Sequence, residues 1–540
     1  MQKTSFSTKI QQWIFFRHFN SKLSTAAIIL AGSALFSRFL GIIRDRMLAS
    51  SFGASSLLDA YQISFILPDL IFNLFLIGAI SAAFIPIFSE FIDQKEKAWK
   101  IANSIINLFS IFLLLILGII FLFVPQIINV LNSFAHLTGN QYQIQHFDLI
   151  VNLTRLMLIS PLILGISGIV TSMLNSFRHF FLPALAPILY NLGIIIGIIF
   201  FVPRFSIYGI TFGVMLGALM HLAIQYPALK KIGWRYKFNL DFSTPVKKII
   251  LLTIPRTISL TANQASFWVN KILAFTLGAG NLSAYYFAHN LEYLIIGFFG
   301  ISLATASFPN LVLSSNGQNR QKFIETLCKT LRIIFFFTVP LSFLFFILRE
   351  NIVRIILGSG RFDLEDTLLT AKTLGYFSIS IFAQSGGLLL ARAFYAFKDT
   401  KTPLYVNLGA LVINIILALL WIKPLGTAGL ALSFSVASLI SFFTLCILLH
   451  KFYKSLYEKS LLKSSVIIFF ASIVAFIFTY LAKDIFTNFI NDAKVFGLLI
   501  QTILLILLNL IIYLGIHFIF KSDDLGLVLE RMKKIVRKAY

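Results

Sequence analysis

The sequence predicts an all-α integral membrane protein with about 14 transmembrane helices, arranged as two parallel six-helix bundles followed by two C-terminal helices. Hydrophobic residues make up 58% of the 540-residue chain, and charged residues make up only 12%. A soluble domain carries roughly 25% charged residues. The apolar residues form nearly charge-free blocks, such as 109–125, 188–202 and 498–519. Because backbone polar groups in lipid must be hydrogen-bonded within the segment, these blocks are predicted to be helices.

The distribution of Lys and Arg predicts the orientation of these helices. The chain carries a net charge of +24, and most of the excess lies in short connections between apolar blocks. With the N-terminus inside, the inward loops hold about 30 Lys and Arg residues and the outward loops about 7. An even number of spans then places both termini in the cytoplasm.

An internal repeat supports the division into two bundles. Segment 175–183 matches 395–403, and segment 46–54 matches 271–279, in each case about 220 to 225 residues later. Both halves enter the membrane from the same side, so they are parallel and related by an axis along the membrane normal. Two such halves that rock about a shared site are typical of alternating-access transporters.

The repeat and the charge pattern together predict the organisation of the whole chain. It comprises an interfacial cytoplasmic segment at 1–24, a first six-helix bundle at 25–226, a basic cytoplasmic linker at 227–248, a second six-helix bundle at 249–450, two further helices at 464–519 and a basic cytoplasmic tail at 520–540. Segment 1–24 lacks the apolar core of a signal peptide. Kinks are expected where proline falls inside or at the end of a span, at Pro68, Pro86, Pro161, Pro255 and Pro309.

Several function classes are excluded by missing motifs. The sequence contains no Gly-Lys-Ser/Thr phosphate loop, no His-Glu-x-x-His and no Gly-x-Ser-x-Gly. We therefore predict a protein that is not an enzyme, with no catalytic residues, no metal site and no cofactor. Nucleic-acid binding is not expected, because the excess of Lys and Arg lies mainly in short connections between apolar blocks, where it indicates membrane topology.

Ionisable residues within predicted spans are the candidate functional residues. The first span carries Arg38, Arg44 and Arg46, and the seventh carries Arg256 and Lys271. A charge at bilayer depth costs at least about 2.5–3.5 kcal/mol, so it should face a wet cavity or a partner. One interpretation is a cationic cavity that suits a phosphate or carboxylate. The other is structural pairing, for example of an arginine with Asp59 or Asp69, and both remain open at this point.

The motifs resemble one family of membrane transporters. The segment Ser-Arg-Phe-Leu-Gly-Ile-Ile-Arg-Asp at 37–45, with the motifs at 52–54, 59–60, 67–68 and 83–86, resembles the opening of the MurJ/MviN lipid II flippases. In the second half, the motifs around 278–286, 297–300 and 308–309 resemble the matching region of that family. These flippases belong to the multidrug/oligosaccharidyl-lipid/polysaccharide exporter superfamily.

The resemblance implies a flippase that serves cell-wall biogenesis in the cytoplasmic membrane of a bacterium. Its substrate would be lipid II, the undecaprenyl-pyrophosphate-linked peptidoglycan precursor, moved from the inner to the outer leaflet by alternating access through a cationic central cavity. By motif position, Arg38, Arg44 and Asp59 would be cavity residues. The prenyl tail would lie in membrane lipid, against a groove formed with the last two helices. We expect a monomer coupled to a monovalent ion or to the membrane potential.

Two arginines that the family carries are absent from this sequence. The position after Leu67-Pro68 reads Asp69-Leu-Ile-Phe-Asn, and the segment after the paired tyrosines reads Ala288-His289-Asn290. Our hypothesis is that Arg46, Arg256 and Lys271 restore the positive charge from neighbouring positions. The alternatives are a flippase for another prenyl-pyrophosphate-linked glycan, of the O-antigen or capsule type, a cation-coupled drug exporter, or a membrane scaffold.

Overall fold

The computed structural model describes residues 23–75, 79–137, 145–315, 320–453, 459–489 and 495–526. Within these ranges the regular structure is helical, and the described part of the chain contains no strand. Nearly all of the interfacial segment predicted at 1–24 lies outside the described residues, as does 527–540 of the predicted tail.

The helices are numbered here in chain order. Those before residue 276 are α1 (Leu23–Phe52), α2 (Ser56–Ser64), α3 (Ile66–Phe75), α4 (Ala79–Ser89), α5 (Lys95–Leu137), α6 (Phe147–Met157), α7 (Ile159–Ser176), α8 (Phe181–Ile196), α9 (Val202–Phe205), α10 (Ile207–Ala223), α11 (Tyr226–Ile232) and α12 (Thr244–Phe275). Those after it are α13 (Asn281–Ile295), α14 (Ser302–Ser315), α15 (Arg320–Ile347), α16 (Arg349–Ile356), α17 (Leu364–Ser378), α18 (Ile381–Ala396), α19 (Lys401–Leu425), α20 (Thr427–Tyr453), α21 (Lys459–Phe489) and α22 (Val495–Ile519). Two π-helical segments, Gly197–Phe201 and Ile296–Ile301, continue α8 and α13.

Ten helical stretches, some of them formed by consecutive elements such as α6 and α7, are long and apolar enough to cross a membrane, and the number rises to eleven if α17 and α18, which meet at 46°, form one span. This count covers only the part of the chain that the structure describes. Three predicted spans are not among them, namely 25–48, 60–89 and 249–276. The second of these is divided into α2, α3 and α4. The prediction of a multi-pass, all-helical membrane protein is confirmed, while the number 14 stays a prediction.

The proline positions account for two of the helix breaks. Pro68 follows the break at Phe65, and Pro161 follows the break at Leu158. Each proline lies in the first turn of the new helix, where its missing N–H costs no hydrogen bond, while its ring prevents the preceding helix from continuing. Both breaks agree with the kinks predicted at these two prolines.

The chain divides into two compact units. Unit 1 comprises 1–44, 64–125 and 151–261, and unit 2 comprises 45–63, 126–150 and 262–540. This division assigns 45–63 and the last two helices to unit 2, whereas the predicted bundles are continuous in sequence. The six-plus-six-plus-two organisation stays a prediction.

Unit 1 has an aromatic core and a glycine-lined helix contact. Phe88 packs against Trp99 and Phe177, with ring centroids 6.3 and 6.0 Å apart. Helices α8 and α10 approach so closely that a Cβ added at Gly193 would lie 2.3 Å from the Cα of Gly217. Small residues allow such close contact in membranes, where packing replaces the hydrophobic effect between helices.

Unit 2 is held by a second aromatic core and by a buried ion pair. Phe335 packs edge-on against Phe382 and Phe442. The Arg332 side chain of α15 pairs with Asp524, which follows α22, with Nε and Oδ1 2.7 Å apart and both side chains buried. This pair fastens the end of the last helix to the unit.

Candidate functional site

In unit 1 the candidate arginines lie on α1, and one of them is positioned by an asparagine. Arg44 donates a hydrogen bond from Nη1 to Oδ1 of Asn191 on α8, at 3.0 Å. The Asn191 amide in turn donates to the carbonyl oxygen of Ser37 at 3.2 Å and to its hydroxyl at 3.1 Å. Arg38 lies between Ser37 and Arg44 on the same helix, and both arginines are half-buried. Asn191 therefore fixes one guanidinium against its own helix through a neutral contact.

In unit 2 the neighbouring Asp45 has a partner at the position of a missing family arginine. Asp45 is buried, with 6% of its surface exposed. Its Oδ2 accepts a hydrogen bond from Nδ2 of Asn290 at 2.8 Å. An amide donor thus satisfies an acid at the position where the family has a guanidinium. The contact supplies a hydrogen bond to Asp45 but no positive charge.

Asp59 caps the start of helix α13. Its Oδ1 accepts from the backbone N–H of Ser283 at 2.7 Å and from the Ser283 hydroxyl at 2.6 Å. Its Oδ2 accepts from the N–H of Gly280, also at 2.6 Å. The first N–H groups of a helix lack intrahelical partners, and a carboxylate there also interacts favourably with the helix dipole. Asp59 is 1% exposed, so its described contacts are those of a buried helix cap.

Arg46 contacts the C-terminal end of the short helix α16. Its Nη1 donates to the carbonyl oxygens of Ile355 at 2.6 Å and Ile356 at 3.0 Å. These carbonyls end α16, where a cation is stabilised by the helix dipole. Arg46 is itself exposed. The contact gives this residue a structural role in unit 2.

Lys271 is a buried cation among aromatic rings. It is 3% exposed, and its Nζ lies 4.8 Å from the ring centroid of Phe267 and 5.1 Å from that of Tyr286. His289 stacks on the same Phe267 ring at 4.1 Å. Cation–π contact stabilises a lysine where water is excluded. The side chain of Arg256 lies outside the described residues.

Neutral amides form polar contacts that the pattern of charged residues does not predict. Asn270 on α12 exchanges hydrogen bonds with Asn414 on α19, at 3.1 and 3.2 Å. On α13, Glu292 accepts a hydrogen bond from the Gln384 amide. Arg44–Asn191 joins the first and fifth predicted spans, and Asn270–Asn414 joins the seventh and eleventh. Each half of the repeat therefore has a polar contact between corresponding helices. Asparagine within an apolar span was the available sequence signal.

Comparison with known proteins identifies the family. Residues 48–495 match the family model described as lipid II flippase MurJ. The chain belongs to the lipid II flippase MurJ family. The resemblance of its motifs to the MurJ/MviN flippases is confirmed, and so is the prediction of a transporter class rather than an enzyme class.

MurJ relatives align over most of the chain. The probable lipid II flippase MurJ of Buchnera aphidicola from Acyrthosiphon pisum is 33% identical over 415 residues, covering 76% of this chain and 80% of that protein. The lipid II flippase MurJ of Burkholderia cenocepacia is 27% identical over 449 residues, covering 81% and 85%.

Solved structures agree with this family. One titled lipid II flippase MurJ in an inward closed conformation has a TM-score of 0.77 at 28% identity, covering 92% of this chain and 99% of that one. An inward-facing multidrug transporter of the MATE family, from the MOP superfamily, has a TM-score of 0.62 at 14% identity, covering 80% and 99%. The second likeness concerns the fold alone.

Proposed function

We propose that this chain translocates lipid II from the inner to the outer leaflet of the bacterial cytoplasmic membrane. The observation that carries the proposal is the match to the MurJ family from residue 48 to residue 495. A pyrophosphate-linked sugar-peptide head group cannot cross hydrocarbon unaided, because its charges would lose their water and counterions. Protein cations must replace those interactions during transport.

Arg38 and Arg44 are the cations proposed to contact the pyrophosphate. A guanidinium offers a planar fork of donors that matches phosphate oxygens in bidentate geometry. The Asn191 amide orients Arg44, and an oriented guanidinium loses less side-chain freedom when it binds a ligand. These two arginines lie six positions apart on α1, about 9 Å along the helix axis, close enough for both to contact one pyrophosphate-sugar head group.

The remaining cations receive unequal support. Lys271 is buried with aromatic contacts, which suits a charge held ready in unit 2 for an anionic group. Arg46 contacts carbonyl oxygens of α16, and capping alone explains its position. Asp59, whose described contacts are with the start of α13, is proposed to act through the placement of that helix. Arg256 stays a proposal from sequence.

The same proposal covers topology, assembly and energy coupling. The chain has fourteen spans with both termini in the cytoplasm, and it acts as a monomer. The prenyl tail lies in a groove beside the last two helices, and transport is coupled to a monovalent ion or to the membrane potential. The excess of Lys and Arg in the inward loops supports the orientation. The presence of both repeat halves in one chain supports the monomer.

Complementation tests the proposal. The chain would be expressed in a bacterium whose own lipid II flippase is depleted, and lipid II in the outer leaflet would be measured with an externally added enzyme that cleaves it. Wild type should restore growth and export, whereas Arg44→Ala should not at equal membrane levels. Arg155→Ala is the matched control, because Arg155 is also half-buried in unit 1 but donates to a backbone carbonyl, that of Phe121, at 3.2 Å.

The outcomes distinguish a lipid II flippase from a flippase for another glycan and from a membrane scaffold. Failure of the inserted wild type would contradict lipid II as cargo and favour another prenyl-pyrophosphate-linked glycan, consistent with Asn290 at the arginine position. Full activity of both Arg38→Ala and Arg44→Ala would contradict the cationic path, as expected of a scaffold. Asn191→Leu should reduce export less than Arg44→Ala, because it loses orientation and keeps the charge.

A further inference from the structure

An extended segment of the basic linker lies along helix α5 of unit 1. Its residues, 234–242, alternate aromatic or apolar side chains with polar ones in the order Trp-Arg-Tyr-Lys-Phe-Asn-Leu-Asp-Phe. We call this segment the linker strap. It connects the end of α11 to the start of α12 without regular secondary structure, so its backbone polar groups need partners from elsewhere.

Three polar side chains of α5 supply those partners. Asn103 donates to the carbonyl oxygen of Arg235 at 3.1 Å, and Asn107 donates to that of Asn239 at 3.0 Å. The Ser104 hydroxyl accepts from the Asp241 N–H at 3.2 Å. These three side chains belong to residues that are at most 4% exposed. The strap is therefore fixed on the helix by a ladder of buried side chains.

Only the aromatic residues at the N-terminal end of the strap are hydrogen-bonded to α5. Trp234 Nε1 donates to Oδ1 of Asn103 at 3.1 Å, and the Tyr236 hydroxyl donates to Oδ1 of Asn107 at 2.8 Å. Further along, Phe238 is 70% exposed and Phe242 is 56% exposed. The ladder thus holds two large aromatic side chains outside the packed part of unit 1.

The charge around these aromatic residues is strongly positive. The linker 227–248 contains six Lys or Arg residues and one acidic residue, Asp241, whose Oδ2 lies 3.4 Å from Nζ of Lys100. Arg235, Lys237, Lys247 and Lys248 are exposed. Aromatic side chains favour the membrane interface, and clustered Lys and Arg residues attract anionic head groups there. The Lys and Arg distribution assigns this loop to the cytoplasmic side.

We propose that the linker strap, together with the first turns of α12, binds anionic phospholipid head groups of the cytoplasmic leaflet. Arg235, Lys237, Lys247 and Lys248 pair with the phosphates, while Phe238 and Phe242 insert among the head groups. None of these residues is among those proposed to contact lipid II, so loss of this site and loss of transport are distinguishable.

Retention of lipid by the purified full-length protein tests this site. The protein in detergent would be mixed with palmitoyl-oleoyl phosphatidylglycerol or with phosphatidylcholine of the same acyl chains, and bound lipid would be counted by native mass spectrometry. The variant Arg235→Gln/Lys237→Gln/Lys247→Gln/Lys248→Gln should retain about tenfold less phosphatidylglycerol than wild type. The matched control, Lys322→Gln/Lys398→Gln/Lys401→Gln/Lys463→Gln, removes four exposed charges elsewhere and should retain as much as wild type.

A second variant and a competitor keep the result unambiguous. Phe238→Ser/Phe242→Ser leaves every charge in place and should also lower retention of phosphatidylglycerol, with an unchanged gel-filtration profile. Equal loss in the control, or equal retention of phosphatidylcholine by wild type, would overturn the proposal. Displacement of the lipid by inorganic pyrophosphate would likewise overturn it, because the strap would then be a general phosphate site.

Discussion

The carboxylate of Asp59 accepts two hydrogen bonds from a single residue, Ser283, one from its backbone N–H and one from its hydroxyl. These residues are 224 positions apart, in matching regions of the repeat. A third bond from the Gly280 N–H completes the contact. Segment 45–63 is thereby joined to the start of α13 within unit 2.

Asp59→Ala is expected to destabilise the protein because it leaves two buried N–H groups without an acceptor. Each orphaned donor costs about 1–3 kcal/mol, so Asp59→Ala should lower the apparent Tm in detergent substantially. Ser283→Ala removes only the hydroxyl bond and should cost about 1 kcal/mol. Thermal unfolding of both variants checks this order. An Asp59→Ala protein as stable as wild type, yet inactive in export, would instead indicate direct contact with substrate.

Gly280→Ala is expected to be more damaging than Gly278→Ala. Both glycines have positive φ, +82° at Gly280 and +112° at Gly278, so both substitutions strain the backbone by about 1–3 kcal/mol. At Gly280 the added Cβ would also lie 2.3 Å from the carbonyl oxygen of Ala54, whereas at Gly278 the nearest atom is 3.9 Å away. Comparison of membrane expression and Tm isolates the steric contribution. Equal effects would show that backbone strain alone matters.

Gly217→Leu is expected to prevent α8 and α10 from packing. A Cβ at Gly217 would lie 2.4 Å from the carbonyl oxygen of Tyr190, and the helix backbones must separate to admit a larger side chain. We expect a loss of about 3 kcal/mol or more, seen as aggregation on gel filtration. Gly118→Leu serves as control, since nothing lies within 4 Å of a Cβ there, and it should remain monodisperse. A monodisperse Gly217→Leu protein would contradict the close packing.

Arg332→Met is expected to be more destabilising than the double substitution Arg332→Met/Asp524→Leu. Removing one member of a buried ion pair leaves the other charge uncompensated, at a cost of about 3–5 kcal/mol. Replacing both members with apolar residues removes that cost. The measurement is the apparent Tm of the wild type, both single variants and the double variant. Additive losses in the double variant would show that the two side chains act independently.

The helical spans could be predicted from sequence because lipid leaves an apolar segment few alternatives to a helix. The breaks at Phe65 and Leu158 were also predictable, since a proline follows each. The 46° bend between α17 and α18 was not predictable, because it falls at Ile379 and Ser380, without proline or glycine. The π-helical segments likewise carry no distinct residue pattern.

The candidate site was predictable only in part. Ionisable residues inside apolar spans are conspicuous, and Arg38, Arg44 and Lys271 are candidates on that ground, whereas Asp59 is a candidate from its motif position. Their partners were not, because Asn191 is 147 positions from Arg44 and Asn290 is 245 positions from Asp45. Neutral amides show no charge pattern, and pairing over such separations depends on the tertiary fold.

The ladder on α5 has a consequence for association between copies of this chain. An extended segment with alternating apolar and polar residues exposes backbone groups that readily recruit a strand from another molecule. Here the side chains of Asn103, Ser104 and Asn107 occupy the carbonyl groups of Arg235, Lys237 and Asn239 and the N–H of Asp241. The surface of α5 thus protects 234–242 against strand pairing with another molecule. A segment with this alternating pattern can therefore lie at a crowded membrane surface without promoting aggregation.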